Sequence, residues 1–248
     1  MRKCFALRMH DYIHCPEGKL KYNEQMFAEI ARRYDFITRV LSFGRDSPWK
    51  DELVGQLPEL DAPACLDLAC GTGDITFRLA GRYPQGRIVG LDLTEAMLAY
   101  ARSRNSYPNV EFTVRDMCAT GFAANSVDIV TGGYALRNAP ELKKALSEVE
   151  RVLKPGGIAG FLDFSKPPGR AFQKVELAVL KMWGGFWGLV LHRNHELYTY
   201  IGESLKQFPD SEQLKECVRQ AGFSGLRSRK HFFGVVETIV FEKPRGLI

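Results

Sequence analysis

Apolar residues recur at helical spacing from Asn23 onward, through Met26, Phe27, Ile30, Ala31, Tyr34, Ile37, Val40 and Leu41. One buried helix face is expected there, broken near Asp35. Phe43-Gly44 closes the segment, and a second helix is expected from Pro48 to Gln56. Residues 1–22 show no clean period and carry a turn signal at Cys15-Pro16-Glu17-Gly18. They read as an extension, either loosely attached or folded over a site.

At Ala64 the pattern changes to short apolar runs of strand length: Ala64 to Ala69, Arg87 to Leu91, Val110 to Val114, Val127 to Thr131 and Ile158 to Phe164. Helical segments alternate with them. One runs to about Arg82, one over Thr94 to Arg104 with Thr94 as N-cap, and one over Glu141 to Leu153, stopped by Pro155-Gly156-Gly157. Such alternation predicts an α/β, doubly wound, mostly parallel sheet, because parallel neighbours need a helical crossover. After Phe164 regularity lapses. Residues 168–203 read as an inserted helical cap with a break at Gly184-Gly185, too interrupted to cross a bilayer. Ser211 to Ala221 reads as a helix with Ser211 as N-cap, and Phe232 to Phe241 ends the sheet as one or two strands. A length of 248 residues fits one core, so residues 23–248 are expected to form a single domain.

Composition narrows the function classes. Hydrophobic residues make up 45% and charged residues 25%, an ordinary globular balance that excludes a disordered or collagen-like chain. The net charge of +5 is spread among acidic residues, which speaks against a nucleic-acid partner while suiting the anionic face of a membrane. Six cysteines without a CxxC pair read as reduced thiols, and with five histidines they show no ligand spacing, so a metal-independent reaction is expected. Met1 to Tyr22 lacks an apolar signal core, which makes the cytoplasm the expected location.

Candidate chemistry concentrates in Asp67-Leu68-Ala69-Cys70-Gly71-Thr72-Gly73-Asp74. Glycines after a buried strand let the chain turn sharply and let a ligand approach the backbone. The spacing lacks the third glycine of a dinucleotide fingerprint, which weakens a pyrophosphate reading. Asp92, about twenty residues on at the next strand end, can take both hydroxyls of a ribose.

These residues resemble the class I S-adenosylmethionine (SAM)-dependent methyltransferases, with Asp116-Met117 similar to their third motif. Phe27 to Trp49, Ala135 to Asn138 (ALRN), Val152 to Gly157 (VLKPGG), Phe164 to Pro167 (FSKP) and Tyr200 to Phe208 resemble the ubiquinone/menaquinone biosynthesis C-methyltransferase family. The resemblance extends from about residue 23 to 241 and implies a seven-stranded Rossmann-like sheet, SAM as cofactor and a hydrophobic aromatic acceptor. It implies that Gly71, Thr72, Gly73 and Asp74 surround the methionine part. Asp92 would then hold the ribose, Asp116 and Met117 would border the adenine, and Leu93 would lie in the same cofactor site. Tyr34 would close over the cofactor, with Asp67 and Gly133 beside it. Arg137 and Asn138 would orient or help deprotonate the acceptor. Where the family commonly carries serine and phenylalanine ahead of GLRN, this chain carries Gly133, Tyr134 and Ala135, adding a phenol. An arginine stays protonated and is a poor base, so Arg137 suits stabilisation of a phenolate, and His192, His195 or Tyr198 are the candidate bases. An O- or N-methyltransferase, or a protein that binds SAM without catalysis, remain alternative readings. A homodimer and peripheral membrane contact also stay open.

Overall fold

The computed structural model describes residues 7–167 and 169–246. Cys4 and the start of the extension lie outside them. Five strands run parallel: β1 (Ala64–Leu68), β2 (Arg87–Asp92), β3 (Val110–Val114), β4 (Val127–Gly133) and β5 (Leu153–Phe164). β6 (Ser224–His231) and β7 (Val236–Glu242) are antiparallel to each other, and β7 is antiparallel to β5. The sheet order is β3-β2-β1-β4-β5-β7-β6. The seven-stranded, mostly parallel sheet of the expectation is therefore present, with its order reversing between β1 and β4.

Helices α3 (Asp46–Gly55), α4 (Asp74–Arg82), α5 (Glu95–Arg104), α6 (Leu142–Val152) and α9 (Ser211–Gln220) accompany the sheet. Leu66, Val130, Val149 and Phe161 anchor one apolar core, while Leu53, Ile88, Ile129 and Leu162 anchor a second. Each fully buried side chain of this size contributes about 1.5–3 kcal/mol relative to exposure. A third cluster packs Tyr22, Met26, Ile30 and Ile37 from α1 (Pro16–Ile30) and α2 (Tyr34–Leu41) against Leu197, Tyr198 and Tyr200 of α8 (Glu196–Gln207). The N-terminal segment and the cap therefore close over the sheet together.

Several local expectations are corrected. Cys15-Pro16 does not turn the chain but starts α1, with Cys15 at the N-cap and Pro16 in the first turn, where its missing N–H has no helical partner to lose. The helix thus runs through the boundary drawn after residue 22. The break expected near Asp35 is a 3-10 turn over Ala31–Arg33. Pro155-Gly156-Gly157 does not stop the preceding helix; α6 ends at Val152 and β5 carries these residues, with Gly156 at φ 82°. Thr94 sits at the N-cap of α5 without a side-chain capping bond, and α9 is capped by Asp210 in a capping box with Gln213, not by Ser211.

The cap contains α7 (Arg170–His192), which passes through Gly184-Gly185 unbroken. A Cβ on Gly184 would lie 2.7 Å from the Tyr198 carbonyl oxygen, so this glycine admits the backbone of α8. β6 was not expected: as an outer strand it is mostly exposed and carries Arg227, Arg229 and Lys230, leaving little apolar pattern to read.

Candidate active site

Past β1 the chain turns through Ala69 (φ 48°), Gly71 (φ 56°) and Gly73 (φ 84°) before α4 begins. Left-handed backbone of this kind favours glycine. The Gly71 N–H donates to Asp92 Oδ2 at 2.9 Å and the Thr94 N–H to Oδ1 at 2.8 Å. Asp92, at the end of β2, is thereby fixed beside the β1 turn. Burial pushes its pKa up, and the backbone bonds oppose that rise. Asp67 is fully buried and accepts from Thr76 Oγ1 at 2.7 Å and Thr131 Oγ1 at 2.8 Å, tying β1 to α4 and β4. Burial pushes it up to about 6 despite both bonds.

Cavities meet around this turn. One is lined by Gly71, Asp92, Leu93, Asp116, Met117 and Gly133, and a smaller recess by Asp67, Gly71, Thr72, Asp74, Gly133 and Lys50. A third, of about 310 Å³, is walled mainly by apolar groups from α1, α2, α7, α8 and the turn before β7. Tyr34 and Tyr134 border all of them, and Phe27 and Asn138 line both the cavity at the glycine turn and the apolar one. Two expected site residues fall outside. Gly73 lines no cavity; it caps α4, with Phe77 and Phe112 packed over its Cα. His195 is exposed at the N-cap of α8 and is not among the residues that wall these cavities.

A buried polar chain supports the recess. Tyr134 donates to Asp46 Oδ1 at 2.7 Å, and Lys50 Nζ pairs with Asp46 at 2.5 Å and Asp74 at 2.8 Å. Asp74 also pairs with Arg78. Burial works against the Lys50 ammonium, but Asp46 and Asp74 hold its pKa above the usual lysine value. Burial likewise opposes the Asp74 carboxylate, which Lys50 and Arg78 hold below its usual range. Thr72 Oγ1 donates to Asp35, which pairs with Arg104. Asp116 Oδ1 accepts the Cys118 N–H at 2.9 Å, shaping the loop that presents Met117.

Arg137 is 4% exposed and lies in the apolar cavity, its guanidinium 5.2 Å from the Phe164 ring centre. Nη1 donates to Ser204, and Nε lies 3.6 Å from Asp163 without a hydrogen bond. The adjoining segment is held from α1: Lys19 Nζ donates to the carbonyls of Arg137 and Ala139 at 3.0 and 2.8 Å, and Asn23 Nδ2 to that of Asn138 at 2.9 Å. Asn138 Nδ2 donates to the Tyr134 carbonyl at 2.8 Å, while its buried Oδ1 has no partner. Tyr198 lines the apolar cavity and its phenol is 3.0 Å from His192 Nε2. His192 Nδ1 in turn lies 3.8 Å from Glu29. Burial pushes the Tyr198 phenol up and His192 down.

Lys50, Asp46, Lys19, Asn23 and Asp163 were missed by the sequence reading. Their roles arise from contacts between distant segments, and none stands in a recognisable motif. Among the described residues, no group of three or more His, Cys, Asp or Glu could hold a metal ion.

A glycine turn and a neighbouring strand-end carboxylate at the point where the strand order reverses is where an open α/β sheet binds a nucleotide-like ligand. With the adjoining acceptor-sized cavity, this defines a class I SAM-dependent methyltransferase. The chain belongs to the ubiE/COQ5 methyltransferase family, whose profile matches residues 17–242. It is 38% identical over 221 residues to a demethylmenaquinone methyltransferase of Thermus thermophilus, covering 88% of this chain and 100% of that protein. It is 37% identical over 226 residues to a 2-phytyl-1,4-naphtoquinone methyltransferase of Thermosynechococcus vestitus, covering 89% and 98%. The crystal structure of the [4+2]-cyclase SpnF superposes with a TM-score of 0.61 at 20% identity, covering 81% of each chain. That likeness shows the shared fold alone.

Proposed function

We propose that this enzyme transfers a methyl group from SAM to a ring carbon of a quinol that carries an apolar tail. The observation that supports this most directly is the apolar cavity of about 310 Å³ that shares the walls Tyr34 and Tyr134 with the cavity at the glycine turn. The residues fit the nucleotide: Gly71 has only the Tyr34 ring near its missing side chain, at 3.8 Å, and the buried Asn138 Oδ1 is unpartnered. Asp92 would take the ribose hydroxyls, and Leu93, Asp116 and Met117 would border the adenine. Gly71, Thr72, Asp74 and Lys50 would face the charged end of the methionine. When bound, the sulfonium supplies the electrophilic methyl and a neutral leaving group.

The chain's own residues orient the acceptor and exclude water. Tyr34 separates the two cavities, so a ring pressed against it lies next to the nucleotide site. Arg137, always charged, stabilises negative charge on a ring oxygen. The names of the related proteins, which describe methyl transfer to quinone-type rings, support the acceptor class. The test is mass spectrometry of purified protein with SAM and a panel of demethylquinols, phenols and amines. Carbon methylation of a quinol is expected, and methylation only at oxygen or nitrogen overturns the reading.

A tail-bearing acceptor also accounts for the outer face of the cap. Phe172, Val175, Val179 and Phe233 line the cavity while being 50–94% exposed, and Met182 and Phe186 extend the patch. Lys166, Arg170, Lys174, Lys181 and Arg193 lie on or beside α7, whose single acid, Glu176, is buried. Apolar side chains at a cavity mouth flanked by cations suit an anionic lipid surface, from which the acceptor would be drawn. No helix among the described residues is long and apolar enough to cross a membrane.

A further inference from the structure

α7 buries Glu176, Gly184 and Gly188, which are spaced at multiples of four residues and so share one face of the helix. Gly184 admits the backbone of α8 at Tyr198, and Gly188 admits the turn before it at Asn194 and His195. The third position holds a carboxyl group where close packing alone would select an apolar side chain. Glu176 is 7% exposed, and both of its carboxylate oxygens are buried without a hydrogen-bond partner among the described residues. It lines the apolar cavity beside Phe164, Leu180 and Tyr200.

Leaving a buried carboxyl unpaired costs several kcal/mol if it ionises, so its presence needs a function. Most of the surrounding charged and titratable groups have their own partners, while the buried phenol oxygen of Tyr200 has no hydrogen-bond partner. Lys166, ahead of α7, donates to the carbonyls of Lys206 and Phe208 at 3.3 and 2.5 Å. Arg137, after β4, is bonded to Ser204, and on α8 Tyr198 pairs with His192. Tyr200 of α8 carries a phenol that burial pushes up to about 12. No hydrogen bond or ion pair joins any of these to Glu176.

We propose that Glu176 is a catalytic residue that binds a ring hydroxyl of the acceptor and removes its proton. This deepens the quinol reading and rests on it. The hydroxyl O–H bond breaks and its proton passes to the carboxylate, while the oxygen's electron pair feeds the ring. The ring carbon forms a bond to the methyl as the methyl–sulfur bond breaks, its pair staying on sulfur. The ring carbon then loses its hydrogen as a proton to water, and Glu176 returns its own proton to the ring oxygen. Burial pushes Glu176 up to about 8 against the pull of Lys166. That brings its proton affinity much closer to that of a phenol, near ~10, than an ordinary carboxylate comes.

The test compares wild type with Glu176→Gln and Glu176→Leu, supplied with SAM and a reduced 2-prenyl-1,4-naphthohydroquinone under anaerobic conditions. Methylated product is read by mass spectrometry between about pH 6 and about pH 10. For wild type, kcat should rise with pH through about 8, as the carboxyl ionises. Both variants should lose ~100-fold or more in kcat together with that acid limb, with KM little changed in Glu176→Gln, which can still hold the hydroxyl, and raised in Glu176→Leu, which cannot. Glu176→Leu, relieved of the buried carboxyl, should melt at or above the wild-type temperature, which separates lost chemistry from lost folding. A folded variant that keeps wild-type kcat, or that keeps the acid limb, overturns the assignment. If wild type yields S-adenosylhomocysteine only with phenols or amines, the quinol reading fails and the assignment falls with it, a pattern distinct from an unimpaired variant.

Discussion

The phenol of Tyr134 donates to the carboxylate of Asp46, 88 residues earlier in the chain, at 2.7 Å. The same carboxylate holds Lys50, so the wall shared by the cavities is fixed by a buried ion pair. Tyr134 itself has φ 56° at the end of β4, an uncommon conformation for a bulky residue and one that tends to occur at functional sites. Burial, with Asp46 adding to it, pushes its phenol well above the usual value, which suits positioning and not proton removal.

Tyr134→Phe should therefore cost about 1–2 kcal/mol of stability, since Asp46 loses a donor but keeps Lys50. Urea unfolding measures the loss, and the acid limb assigned to Glu176 should persist. A collapse of kcat with unchanged stability would give the phenol a chemical part.

Asp92→Ala should weaken SAM binding at least tenfold, about 1.4 kcal/mol, by calorimetry. The carboxylate also fixes the Gly71 and Thr94 N–H groups, so the turn loosens as the ribose contact is lost. Unchanged affinity would remove Asp92 from the site.

Asp67 makes stability depend on pH in a definite direction. Its folded pKa of about 6 exceeds the ordinary 3.8, so the folded state binds the proton more tightly. Its contribution therefore favours folding below the ordinary value and is lost as pH rises to about 6. Asp67→Asn should flatten that part of the stability profile, measured by denaturant midpoints, and an unaltered slope would contradict the raised pKa.

Gly184→Ala should destabilise by about 1–3 kcal/mol, because the added methyl meets backbone and not a yielding side chain. Its Cβ would lie 2.7 Å from the Tyr198 carbonyl oxygen. Thermal unfolding should fall, with KM for the acceptor rising as α7 and α8 part. An unaffected melting temperature would mean that the helices sit further apart.

Phe233, 94% exposed, is a sharp probe of the surface around the cavity mouth. Phe233→Glu should abolish co-sedimentation with vesicles of anionic phospholipid while leaving turnover of a short-tailed quinol in detergent near wild type. Equal vesicle binding by both proteins would count against lipid contact there.

The sheet was legible because most of the parallel strands contain a short apolar run near a polar or glycine signal, and the spacing from Asp67 to Asp92 fixes two neighbouring strand ends. The start of α1 was misread because proline marks turns and first helical turns alike, and only tertiary contacts distinguish them. Lys19 and Asn23 then reach carbonyls more than a hundred residues away, a relationship with no local trace. Gly184-Gly185 looked like a break because glycine weakens an isolated helix, whereas here α8 needs the space. Lys50 and Glu176 stand in no motif that the sequence offers. Both were hidden because burial of a charged group is decided by the fold.

α1 and α2 together place Leu20, Phe27 and Tyr34 over the nucleotide side and Met26, Ile37 and Leu41 over the acceptor side. One helical cover, joined at the 3-10 turn Ala31–Arg33, therefore walls both chambers, so a substitution that shifts it is felt by both at once.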